Sequence, residues 1–216
     1  MNYDYPDLLP LVSEARQLVG DDRFIWCSAS DGFDSRRLQK RGLLLGGAIS
    51  PHFLRDVPGF GSEVQWMVRL HNCRVVVCEQ AAQEPVASWV PLLEALVAAR
   101  ESLLVVAETT CTELLHTFVV NARQGTLPIC IVHPVPPRTG NPSTRRVEST
   151  LPKQRDHLPQ IREAWIRRTA TALFPDADEG SPFGSALQDF AVIETGGDNA
   201  DDQRDRLRFL MRELRR

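Results

Sequence analysis

The stretch 73–132 most constrains what this chain of 216 residues can fold into. Short β-branched or apolar runs alternate there with longer segments of helical period. The runs CRVVVC (73–78), LLVVA (103–107) and ICIV (129–132) have the length and composition of strands buried on both faces. Between them lie SWVPLLEALVAAR (88–100) and TELLHTFVVNARQG (112–125), each long enough for three helical turns. The second ends in a glycine, the residue that most readily closes a helix in the left-handed conformation. Strand, helix, strand, helix, strand at these lengths predicts two βαβ units and a parallel sheet.

Both predicted helices are wider in apolar surface than a helix lying on a sheet requires. At about 100° per residue, Trp89, Leu92 and Leu96 form one stripe, and Val90, Leu93 and Val97 the next, an arc of roughly 160°. In the second helix Leu114 and Phe118 form one stripe and Leu115 and Val119 another, with Val120 further round. Leu114 and Phe118 are expected to face the sheet. The second stripe is either covered by another part of the chain or left for a partner.

These residues carry a resemblance. The run VPLLEALVAARESLLVVAETTCTELLHTFVVNARQGTL (90–127) is similar, without a gap, to the apical domain of the GroEL-type (group I) chaperonins. GGAISPHF (46–53) resembles that family's RGYLSPYF, LVGDDRFIWCSASDG (18–32) its entry into the domain, and FGSALQDFAVIETGG (183–197) its FGDRRKAMLQDIAILTGG with several residues missing. The resemblance covers roughly residues 18–135 and 183–197. It implies the swivelling β/β/α fold of that domain, with the βαβ units joined by additional strands. It also implies a groove between the two helices that binds non-native polypeptide or a co-chaperonin-like partner protein. The matching positions are Phe53, Val90, Leu93, Leu115, Val119, Val120 and Asn121. Two family tyrosines near SPHF are replaced by Ala48 and His52, which removes aromatic area.

The rest of the chain is read in order. Residues 7–19 place Leu8, Leu11, Val12, Ala15, Leu18 and Val19 on one helical face. Residues 23–29 are predicted to be a strand, Asp31-Gly32 a turn, and 41–49 a strand whose glycine pair marks a bulge or a close backbone approach. Pro58, Gly59 and Gly61 signal a loop, and 64–70 another strand. The segment 135–182 departs from the family. Its first part, HPVPPRTGNPSTRR, is expected to be an exposed loop, most open to trypsin near Arg138, Arg145 and Arg146. Residues 159–174 (PQIREAWIRRTATALF) read as a helix, because Ile161, Ala164, Trp165 and Leu173 can share a face. The segment 201–216 is an amphipathic helix with acids at its start and arginines at its end, as the helix dipole favours. It is expected to pack back on the domain. The organisation is therefore an N-terminal helix (1–19), an apical-like domain (20–197) with an insertion at about 136–182, and a C-terminal helix (198–216).

Composition sets the remaining limits. A net charge of −3 gives no basic field for nucleic acid. No apolar run approaches the 18 residues of a membrane span, and the N-terminus lacks the pattern of a secretory signal. The cysteines Cys27, Cys73, Cys78, Cys111 and Cys130 are odd in number and sit mostly in apolar runs, which suits buried thiols in a reducing cytoplasm. Cys73 and Cys78, five apart, face opposite sides of a regular strand and are poor candidates for a shared metal. His52, His71, His116, His133 and His157 lack metal-ligand spacing, and no calcium loop is completed at Leu187.

No catalytic motif or phosphate loop occurs, and no cofactor or metal is expected. Cys111 precedes a helix, but a thiol nucleophile needs a base in reach, and His116 lies more than a turn along. The expectation is an ATP-independent polypeptide-binding module without the family's ATP-binding domain, not an enzyme. The alternative is a small-molecule-binding protein or enzyme on the same scaffold. Its site would involve the insertion, whose Arg145, Arg146, Arg155, Arg162, Arg167 and Arg168 suit an anionic ligand.

Overall fold

The computed structural model describes residues 5–19, 25–30, 32–45, 47–56, 67–78, 85–134, 158–167, 170–176 and 187–214. The chain forms two compact units, one from residues 1–42 and 188–216, the other from 43–187. Its class is mixed α/β, with parallel βαβ units and further strands, as the sequence predicts.

The first unit contains α1 (Leu8–Val19), β1 (Ile25–Ala29), the start of β2 (Arg36–Leu45), β9 (Gln188–Thr195) and α5 (Ala200–Glu213). β1 runs parallel to β9, with Ile25 opposite Ala191, and residues 36–42 of β2 run antiparallel along its other side. Leu8, Val12, Ala15 and Val19 form the buried stripe of α1. They meet Ile25, Cys27, Ala191 and Ile193 from the strands, and Leu207, Phe209 and Leu210 from α5. The C-terminal helix thus packs back on the strands. Asn199 caps it, its side-chain oxygen accepting from the Asp201 and Asp202 amides. Arg206 ties it to the N-terminal segment, donating to Asp7 at 2.7 Å and Asp202 at 3.1 Å with its guanidinium over the Tyr5 ring.

The second unit is built on the predicted alternation. β4 (Val68–Cys78), β5 (Ser102–Ala107) and β6 (Ile129–Pro134) are parallel neighbours, with Cys73 opposite Ser102 and Leu103 opposite Ile129. The crossovers are α3 (Val90–Ala99), preceded by a 3-10 turn at Val86–Ser88, and α4 (Thr112–Gln124). All six residues of β5 are buried, as a central parallel strand covered on both faces requires. α4 ends at Gly125, whose φ of 70° lies in the left-handed region. Short β3 (Gly47–Ile49) pairs antiparallel with β6. A side chain at Gly47 would collide with Val132, so this glycine is required by close approach. α2 (Pro51–Asp56) follows β3 and packs against α4.

Two expectations are corrected. Residues 159–174 are not a helix. They form β7 (Gln160–Ile166) and β8 (Thr171–Phe174), an antiparallel pair in which the Arg167 amide donates to the Ala170 carbonyl. β7 pairs antiparallel with β4, and β8 with residues 43–45 of β2. Sheet pairing and the burial of Ile161, Trp165 and Phe174 override a helical spacing that has no helical partner. The described part of the insertion therefore extends a sheet. The expected strands 64–70 and 73–78 are also not separate over their described residues. Residues 68–78 form one strand that runs through Asn72, whose φ is 46°. The expected loop at residues 58–61, residues 64–66 of the expected strand, and the stretch 136–155 expected to be cut first by trypsin lie outside the described residues, as does Asp31 of the predicted turn.

One buried-edge ion pair fixes the start of β5. Arg74 on β4 donates through Nε and Nη2 to both carboxylate oxygens of Glu101 at 2.8 Å, and through Nη1 to the Leu158 carbonyl at 3.0 Å. The Arg74 hydrogen bonds hold the Glu101 carboxyl below the usual glutamate range against the opposing effect of its burial. A lowered folded-state pKa adds stability above the unfolded value, and that stability is lost as pH falls through the folded value. Glu101→Gln is therefore expected to cost about 2 kcal/mol at pH 7, the scale of a charged hydrogen-bonded pair. Denaturant midpoints measured from pH 7 to pH 3 check this, and the gap between variant and parent narrows below about pH 4.

Candidate functional site

The site predicted from the two helices starts with their shared foundation. Trp89, the residue capping α3, and Phe118 of α4 are both fully buried and meet edge to face, with ring centroids 5.3 Å apart. Leu93 and Leu96 continue the buried stripe of α3, and Leu114 that of α4. The α4 start is set by Cys111, whose Sγ accepts the Leu114 amide at 3.4 Å. That contact makes Cys111 a helix cap. His116 is exposed, and at about 100° per residue lies roughly 140° from Cys111 around the axis. Buried Cys73 and Cys130 are pushed well above the ordinary thiol range, mainly by loss of solvation, which keeps both sulfurs unreactive.

The seven expected binding residues fall into three groups. Val90 and Val120 are exposed, at 40% and 36%. Leu115 and Asn121 are half-buried, and the Asn121 amide nitrogen donates to the Thr117 carbonyl one turn back at 2.9 Å. Leu93 and Val119 are buried at 8% and 7%, and Phe53 has no exposed surface at all. Phe53 lies on α2 and belongs to the same core as Phe118 and Val119. Its ring therefore lies in that core instead of presenting itself to solvent.

Val97, 39% exposed, belongs to the Val90 stripe but is not among the expected binding residues. It stands two turns along α3 from Val90, about 20° away around the axis. The solvent side of α3 also carries Pro91, Ala95, Ala98 and Ala99, with Glu94 its one charge within the helix. The structure thus assembles a buried aromatic base, a half-covered aliphatic line on α4 and an exposed aliphatic line on α3. Among the described residues no group of three or more His, Cys, Asp or Glu side chains is placed to hold a metal ion. No described helix is long and apolar enough to cross a membrane.

No protein-family model matches the sequence. Individual proteins do. Chaperonin GroEL of Onion yellows phytoplasma (strain OY-M) is 32% identical over 124 residues, which is 57% of this chain and 22% of that protein. The chloroplastic RuBisCO large subunit-binding protein subunit alpha of Chlamydomonas reinhardtii is 27% identical over 123 residues, 56% of this chain and 20% of that one. Chaperonin GroEL 1 of Rhodopirellula baltica is 35% identical over 86 residues, covering 40% and 14%. The chain spans about a fifth of the length of the first of these relatives. Over somewhat more than half of its own length, it is similar in sequence to chaperonins.

Proposed function

We propose that this chain is a polypeptide-binding module of the chaperonin apical-domain type, capturing apolar segments in the groove between α3 and α4 without ATP. The observation that carries this reading is the pair of exposed valines, Val90 and Val97, on a helix whose solvent side is almost free of charge. Each aliphatic side chain taken out of water contributes roughly 1.5–3 kcal/mol when fully buried. A few such groups suffice for weak, broad capture of extended or helical segments.

Val90, Val97 and the uncovered part of Leu115 form the contact surface in this reading. Leu93, Val119 and Phe53 support it from below. The partner is a non-native polypeptide or a specific protein presenting such a segment. We place the protein in the cytoplasm, where the buried thiols stay reduced.

The test is capture without nucleotide. The chain is expected to delay aggregation of a chemically denatured model protein equally with and without ATP. Calorimetric titration with ATP and magnesium is expected to show no binding below the millimolar range. Capture that requires ATP, or tight ATP binding, would sink this reading.

A further inference from the structure

This inference rests on the peptide-binding reading of α3 and α4 and concerns the kind of peptide. At about 100° per residue, Thr112, His116 and Arg123 of α4 fall within about 40° of one another, directly beside Val119. All three are exposed, while Leu115, Val119 and Ala122 on the adjoining lines are half-buried or buried. A hydroxyl, an imidazole and a guanidinium thus border the apolar line on its solvent side. His52 is also exposed, and α2, which carries it, packs against α4. The acids of α3 and α4 stand off this row. Glu113 lies about 60° beyond His116 around α4. Glu94 is on α3, and Glu108 precedes α4. A basic residue in the last turn of a helix commonly answers the helix dipole, which accounts for Arg123 alone but not for His116 or His52.

We propose that the groove selects aliphatic segments that carry a carboxylate beside their apolar residues, held by His116 and Arg123 on the α4 rim. Charge complementarity of this kind discriminates between partners more than it raises affinity overall.

Fluorescence anisotropy with two labelled dodecapeptides tests it. Both carry the same Ile-Val-Leu-Val centre, one flanked by glutamates and the other by lysines. At low salt the glutamate peptide is expected to bind about ten-fold tighter, and the ratio to shrink as salt is added. The His116→Gln/Arg123→Gln double variant is expected to bring the ratio to about one, and Val90→Ser to weaken both peptides alike. Equal binding of the two peptides by the parent protein overturns the carboxylate preference and leaves the peptide-binding reading standing. A ratio unchanged in the double variant overturns the assignment to these two residues. Binding of neither peptide overturns both.

Discussion

Phe118→Ala is expected to lower the unfolding free energy by about 3–5 kcal/mol, whereas Val90→Ser changes it by no more than about 0.5 kcal/mol. Phe118 is fully buried and stacks edge to face on Trp89, so its removal loses burial and leaves a cavity between the two helices. Val90 keeps 40% of its surface in water and loses little packing. Leu115→Ser, at a half-buried position, is expected to fall between them. Val119→Ser is expected to resemble a core substitution, at about 2 kcal/mol or more, because the valine is only 7% exposed. Urea midpoints for the four variants check the order. A cost for Val90→Ser equal to that for Phe118→Ala would mean that α3 is covered.

The second large effect concerns the part of the insertion that joins the sheet. Trp165 on β7 is fully buried. It stacks edge to face on Phe174 at 4.9 Å, lies under the Arg69 guanidinium and donates from Nε1 to Glu163 at 3.1 Å. Trp165→Ala is expected to cost about 3–5 kcal/mol. Arg162→Pro distinguishes strand from helix poorly, since proline disrupts both. A more direct test is amide exchange. The amides of residues 160–166 and 171–174 that pair between strands are expected to be protected together, and to lose protection together in Trp165→Ala. Protection in the helical pattern, each amide bonded to the carbonyl four residues earlier, would contradict the strand assignment.

The βαβ region was legible because its period changes from buried strand to helix and back within short, uninterrupted runs. The same reading failed at 160–174 because Ile161, Ala164 and Trp165 fall at helical spacing by coincidence. Their outer partners in the folded chain, β4 beside β7 and residues 43–45 of β2 beside β8, are distant in sequence and leave no local mark. The continuity of 68–71 with 73–78 passes through one left-handed residue, Asn72, and nothing in a single sequence marks that asparagine among the others.

At the candidate site, periodicity separated the stripes of each helix but not their depth. Leu114 and Phe118 were expected on the sheet side and are fully buried. On α3 the boundary of burial runs between Leu93 and Val97, which share a stripe in the sequence. Whether Phe53 lies on the surface depends on how α2 packs against α4, a tertiary contact that no local pattern encodes.

Capture by surface variants of α3 tests the central claim most directly. The Val90→Ser/Val97→Ser protein would be compared with the parent for binding to a chemically denatured model protein, at equal folded concentration and without nucleotide. The account predicts unchanged urea midpoints and capture at least about ten-fold weaker, since each exposed valine contributes roughly a kcal/mol or more on burial. Undiminished capture by a fully folded double variant would contradict it.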